Sequence, residues 1–210
     1  MPRKAIVSRP EIFAAAIELI DEVGLEAMTM RKLGERLGVE AMTVYNYVAN
    51  RDAVLDGVYE TVLAEVTIPE TTDDVRDDLS GLAYGLRRVF ARHPRVLPLF
   101  FSRPAITTAS LRYVEWTLQR LATVLPQPER RVYAFQTLAA FVLGITALQH
   151  QPQLDEGPDY GALPAEEFPE LHRVATTGAA GTTDAEFDFG LRAVLDGVLG
   201  SSARGPGSDL

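Results

Sequence analysis

Along the chain, apolar residues return at the three-and-four spacing of an α-helix, and no stretch alternates long enough to build a sheet. That confines the fold to an all-α class. The punctuation between the periodic runs agrees. Ser8 and Glu11 stand three apart as a capping box, Pro10 suits a first turn, and Gly24 supplies a left-handed stop. Ile12, Phe13, Ala16, Ile17, Ile20 and Val23 recur at helical spacing and make one apolar face of the first helix. Thr29 opens a second helix ending at Gly38, a third and shorter one covers 40–47, and Asn50 caps a fourth over 51–66. Pro69 and the polar residues after it close an N-terminal domain over 1–68.

Longer helices are predicted over 74–93, 105–125 and 129–151, with a short, very apolar piece over 95–102. The segment 129–151 is apolar almost all round and asks for burial on more than one side. Residues 152–183 are rich in Pro, Gly and acids and read as a mobile loop with one helical turn near Phe168 to Val174. Asp184 caps a last helix whose Phe187, Leu191, Val194, Leu195 and Val198 form a stripe. A second domain therefore spans 69–200, and the tail over 201–210 has the composition of disorder.

With 210 residues, 47% of them hydrophobic, the chain can bury a sizeable core. It has no cysteine, which excludes disulfides and thiolate metal sites and suits a reducing, cytoplasmic setting. The apolar run over 135–148 is shorter than a bilayer needs, so no membrane partner is expected. The three histidines, His93, His150 and His172, form no pair with metal-ligand spacing, and His93 suits a helix C-cap. No nucleophile elbow, phosphate loop or dinucleotide fingerprint is present, so neither an enzyme nor a cofactor is expected. The carboxylate pairs Asp73-Asp74, Asp77-Asp78 and Glu166-Glu167 lie near helix starts and loops and read as solvated charge. Net charge is −9, but seven bases up to Arg51 are balanced by seven acids, so the negative excess lies beyond Arg51.

Two short helices joined by Gly38-Val39 have the dimensions of a helix-turn-helix. In that arrangement the first helix crosses the phosphate backbone and the second enters the major groove. Val44 and Val48 are predicted to face the core, leaving Ala41, Met42, Thr43, Asn46 and Tyr47 outward.

Met28-Thr29-Met30-Arg31-Lys32-Leu33, then Leu37-Gly38-Val39-Glu40, then Thr43-Val44-Tyr45-Asn46-Tyr47-Val48, closing at Asn50-Arg51, resemble the DNA-binding domain of the tetracycline-repressor (TetR) family. The likeness runs over 8–66 without a gap. It implies that Thr29 caps its helix at a phosphate, with Met30 beside it, and that Arg31 reaches a base or a phosphate. Thr43 and Tyr45 are implied to hold the DNA backbone, Glu40 to cap the third helix, and Arg51 to take a phosphate at the positive end of the fourth. Ala41, Met42, Asn46 and Tyr47 fall at base-reading positions, where Asn46 suits an adenine edge and Met42 or Ala41 a thymine methyl.

The C-terminal half resembles the tetracycline repressor's own subgroup through Arg87-Arg88 with His93, Ser102-Arg103-Pro104, Phe141-Val142-Leu143-Gly144, Phe168-Pro169-Glu170-Leu171 and Phe189-Gly190-Leu191. The resemblance implies a homodimer through helices over 129–151 and 184–199, presenting two recognition helices to a palindromic operator about 34–36 Å apart. Leu99 or Phe100 stands where the subgroup has its pocket histidine, Leu148 lies near its acidic partner, and Leu82 and Leu86 replace drug-contacting positions. Metal–drug chelation is therefore not expected. The implied effector is apolar, enclosed by Leu82, Leu86, Phe90, Leu99, Phe100, Trp116, Phe135, Ala139 and Val142, with Ser102 at the edge and Gln136 as a polar anchor. The implied activity is a repressor released by that effector. A dimer of the same fold that is constitutive, or controlled by a protein partner, stays open as the alternative.

Overall fold

The structure, a computed structural model, describes residues 7–103, 107–150, 160–176 and 183–200. Among the described residues are α1 (Arg9–Val23), α2 (Met30–Arg36), α3 (Ala41–Tyr45), α4 (Arg51–Ala64), α5 (Val75–Arg92), α6 (Leu97–Ser102), α7 (Thr108–Ala122), α8 (Pro128–Gln149), α9 (Pro169–Thr176) and α10 (Thr183–Gly200), with a 3-10 turn at Tyr160–Ala162 and no strand. The expected loop over 152–183 lies partly outside these residues. Its described part holds the 3-10 turn and α9, which is longer than the single turn expected. The tail over 201–210 lies outside altogether.

The caps are where local chemistry puts them. Glu11 reaches back to the Ser8 amide at 2.7 Å and the Ser8 hydroxyl accepts from the Glu11 amide, closing the capping box of α1. The Ser8 hydroxyl, which also donates to that carboxylate at 2.7 Å, and then the Ser8 amide hold the Glu11 carboxyl below its usual range. Thr29 accepts from the Lys32 amide, Asn50 from Ala53 and Asp74 from Arg76, giving α2, α4 and α5 an acceptor each. Gly24 and Gly38, at φ 87° and 67°, take the positive-φ backbone that ends α1 and turns α2 into α3. Below its first turn α3 is shorter than predicted. After Tyr45 the bonds shorten to Asn46 N–H to Thr43 O and Tyr47 N–H to Val44 O, so the chain leaves the helix as a tightened turn.

Two buried clusters organise the molecule. The first holds α1–α4, with Ile12, Ile20, Met28, Leu33, Val44 and Val54 fully buried. It does not stop at residue 68 but continues into Leu82, Phe90, Val96, Leu97 and Leu99. The head is thus welded to α5 and α6 by apolar contact. The second joins α5, α7, α8 and α10 around Leu79, Leu121, Leu138, Phe187, Leu191 and Leu195.

Two expectations are corrected here. Asp78 is not solvated charge. It is 2% exposed, its Oδ2 lies 2.6 Å from Arg120 Nε, and it accepts from the Thr72 amide and hydroxyl. The stretch after the head is thereby pinned to α5 and α7. Pro128–Gln149 is, by length and composition, long and apolar enough to cross a membrane, contrary to the reading of its apolar run as too short. In this fold α8 instead packs on α5, α7 and α10, burying Ala134, Leu138, Val142 and Thr146 while Tyr133 and Leu148 stay exposed.

Candidate nucleic-acid interface and effector cavity

The sequence of α3 divides its short cylinder sharply. Val44 and Val48 are buried at 0% and 3% exposure, whereas Met42, Tyr45 and Tyr47 are exposed at 69%, 41% and 37%. Asn46 is exposed and Ala41 and Thr43 half-buried, so these residues form one surface on the far side from the core. The turn at Gly38-Val39, with Val39 packed inward, is joined in holding this angle by Gly34, which was not singled out in the sequence. A Cβ on Gly34 would stand 2.9 Å from the Val39 carbonyl and 3.0 Å from the Ala41 amide, so α2 and α3 meet as closely as glycine allows. A glycine inside a helical pattern is the signal that could have found it.

On α2, Thr29 is exposed and Arg31 projects with 80% of its side chain accessible, pairing with Glu35 at 3.1 Å. Three expected site residues are placed differently. Met30 is 7% exposed and belongs to the head's core, not to the outer surface. Glu40 stands at the N-cap of α3 but its side chain makes no cap; only its carbonyl accepts, from the Thr43 amide. Arg51 turns inward. Its Nε donates to the Met28 carbonyl at 3.0 Å and its Nη2 to the Leu25 carbonyl at 2.7 Å, tying α4 to the α1–α2 loop.

Where the two clusters meet, Leu82 and Leu86 of α5 and Phe135, Ala139 and Val142 of α8 line an apolar cavity of about 50 Å³. Leu79, Ala83, Thr117 and Leu138 complete it and were missed, because only packing reveals which turn of a buried helix faces a gap. The Thr117 hydroxyl donates back to the Tyr113 carbonyl at 2.7 Å, leaving a wall with little free polarity. The other expected residues lie elsewhere. Phe90 and Phe100 meet edge to face at 4.7 Å, and Phe100 stacks on Tyr59 of α4 at 4.4 Å, with Leu99 in the same cluster. Trp116 is half-buried between the two clusters. Gln136 is exposed and cannot anchor a ligand in this cavity. Ser102 is exposed on α6, its hydroxyl turned back onto the Pro98 and Leu99 carbonyls.

Between cavity and head runs a set of specific links. Tyr113, one turn before Thr117, shares its single hydroxyl proton between the Leu63 carbonyl, at 2.8 Å, and that of Val66, gripping the end of α4. Burial pushes the Tyr113 phenol above its ordinary value, so it stays a donor. Arg103, after α6, pairs with Asp52 at 2.7 Å and with Asp56. His93 caps α5, as expected, but also bridges Asp21 of α1 at 2.7 Å and Glu65 at 3.3 Å. Every one of these contacts sets a basic side chain of the regulatory half against an acid of the head. Among the described residues no group of three His, Asp or Glu side chains could hold a metal ion.

A groove-sized helix held out by a glycine-tight turn, on a helical body with a small apolar cavity, defines a helix-turn-helix transcriptional regulator. Residues 12–58 match the family described as bacterial regulatory proteins, tetR family, and residues 68–201 match the tetracyclin repressor-like C-terminal domain. The chain belongs to the TetR family of transcriptional repressors and is not an enzyme. The class A tetracycline repressor of transposon 1721 from Escherichia coli is 31% identical over 89% of this chain and 88% of its own. A helix-turn-helix regulator of Saccharopolyspora erythraea is 35% identical over 57% of this chain, which spans about half (51%) of that relative. Apo ActR of Streptomyces coelicolor superposes with a TM-score of 0.82 at 26% identity, covering 95% of this chain and 98% of that one. ActR in complex with actinorhodin gives 0.82 at 25%, covering 95% and 100%.

Proposed function

We propose that the chain acts in the cytoplasm as a homodimeric repressor that binds a palindromic operator and is released by a small, apolar effector. The observation carrying the DNA half is the division of α3, with Val44 and Val48 inward and Met42, Asn46 and Tyr47 outward. In this reading Met42, Asn46 and Tyr47 with Ala41 meet base edges, while Thr29, Arg31, Thr43 and Tyr45 meet the backbone. Arg51 acts indirectly, by holding α4 against the α1–α2 loop. Dimerisation through α8 and α10 is supported by the apolar side chains both leave outward, with Tyr133 63%, Leu148 66% and Phe189 72% exposed.

The effector half rests on the cavity between α5, α7 and α8 and on relatives of this fold that hold actinorhodin and minocycline. At about 50 Å³ the space is far below the roughly 300 Å³ at which drug-sized sites begin, so the helices must part to admit a ligand. Parting them moves Tyr113 and the Phe90–Phe100–Tyr59 stack, and with them α4 and the reading head. The small cavity also favours a second reading, a dimer controlled by a protein partner or not at all. Thermal-shift screening against metabolites and antibiotics separates the two. A hit that also lowers operator affinity supports the effector; no hit, with operator binding intact, supports the alternative.

A further inference from the structure

Five basic residues of the head lie among the described ones, and the structure turns three of them onto the head itself. Arg51 donates to the Met28 and Leu25 carbonyls. Lys32 Nζ donates to the Ala27 carbonyl at 3.0 Å. Arg36 pairs with Glu18 at 3.2 Å and with Glu22. Two cations remain available, Arg31 in its exposed pair with Glu35 and Arg9, which sits 5.9 Å over the Phe13 ring. An exposed pair of that kind is worth little and yields to a phosphate. The segment from Ala41 to Tyr47 carries no acid or base at all.

Both facts bear on what the surface can grip. Guanine is read chiefly by a bidentate Arg or Lys, which α3 lacks, whereas an amide suits adenine and an apolar tip suits the thymine methyl. Phosphate contacts made by cations release counterions and steepen the salt dependence; contacts made by hydroxyls do not. We infer that this head is an uncharged reader, taking half-sites whose α3-facing pairs are A·T and holding them through hydroxyl and apolar contacts with few cation–phosphate contacts. The inference rests on the operator-binding reading above. It explains how a protein of net charge −9, with three of the five described bases of its head held on the head's own carbonyls and acids, discriminates its site from bulk DNA. The sequence-independent attraction that feeds non-specific binding is small, so the specificity ratio is high.

The test selects duplexes from a random library with the full-length protein, then titrates the enriched duplex by fluorescence anisotropy. Arg3 and Lys4 lie outside the described residues, so the titration is run with both replaced by alanine. Two available cations per head in a dimer give a slope of log K against log salt of about −4 or shallower. Arg31→Ala is expected to flatten it by about 2, and Lys32→Met to leave it unchanged. Enriched duplexes with G·C pairs facing α3, a slope of about −6 or steeper, or flattening by Lys32→Met would overturn the proposal while leaving a DNA-binding regulator. A library from which nothing is enriched would overturn the operator-binding reading itself, and this proposal with it.

Discussion

The head pushes an apolar side chain out, and the regulatory half draws apolar side chains in. Met42 is 69% exposed on a five-residue helix and, on the proposed reading, serves a partner whose shape is fixed beforehand. Leu82, Leu86, Phe135 and Val142 surround a gap too small for any drug-sized guest. The contrast separates two demands on one chain. A groove reader must be rigid before it meets DNA, so Gly34 and Arg51 lock the angle between its helices. A sensor must deform when its ligand arrives, and on the proposed reading the apolar contacts that wall this cavity are the ones that slide. Both demands meet at the seam where Arg103 and His93 face the acids of the head and Tyr113 grips the end of α4.

Substitutions should break that division in order of size. Asp78→Ala strands Arg120 inside the regulatory half and is expected to cost about 3–5 kcal/mol in chemical denaturation. Replacing both partners by leucine should recover most of the loss, because the charge, not the volume, carries the penalty. Tyr47→Ala should weaken operator binding by about 1–3 kcal/mol, roughly tenfold or more in a gel shift, and leave effector affinity intact. Its mirror image is Ala139→Leu, which fills the cavity: effector affinity falls while operator affinity holds, at about 1–3 kcal/mol of overpacking. If either variant moves both affinities equally, the division of labour is wrong.

Arg103→Ala cuts the α6–α4 link, so effector should still bind but release operator less fully, narrowing the coupling by roughly fivefold. Smallest is Ser8→Ala, expected to cost about 1 kcal/mol at neutral pH. The Glu11 carboxyl that bonds Ser8 is depressed when folded, so its contribution is full above its ordinary value of 4.5. It is lost as pH falls through the lower folded value. The gap between wild type and Ser8→Ala should therefore close in acid, as thermal melts across that range would register.

The head was legible because its information is local. Ser8, Thr29 and Asn50 announce helix starts within three residues of the amides they cap, and Gly38 with Val39 fixes a turn within the same short span. Arg51 escaped that logic. Its partners, the Met28 and Leu25 carbonyls, lie 23 and 26 residues away, and a cation at a helix start looks like a phosphate ligand until the packing is seen. The cavity has the same difficulty throughout. Phe90 and Phe135 look alike as apolar residues on largely apolar helices, yet one stacks in the head's cluster and the other lines the gap, a difference that only tertiary packing reveals. Asp78 was hidden for a related reason, since a carboxylate in a first turn is ordinarily solvated and Arg120 is far along the chain.

The central claim is that the surface from Ala41 to Tyr47 enters a groove twice, once from each copy of the chain. Hydroxyl-radical footprinting of the purified protein on a selected operator measures this directly. The account predicts two protected segments related by a dyad, centred about 10 base pairs apart on one face of the duplex, and lost in Tyr47→Ala. A single protected segment, or an unaltered double footprint in that variant, would contradict it.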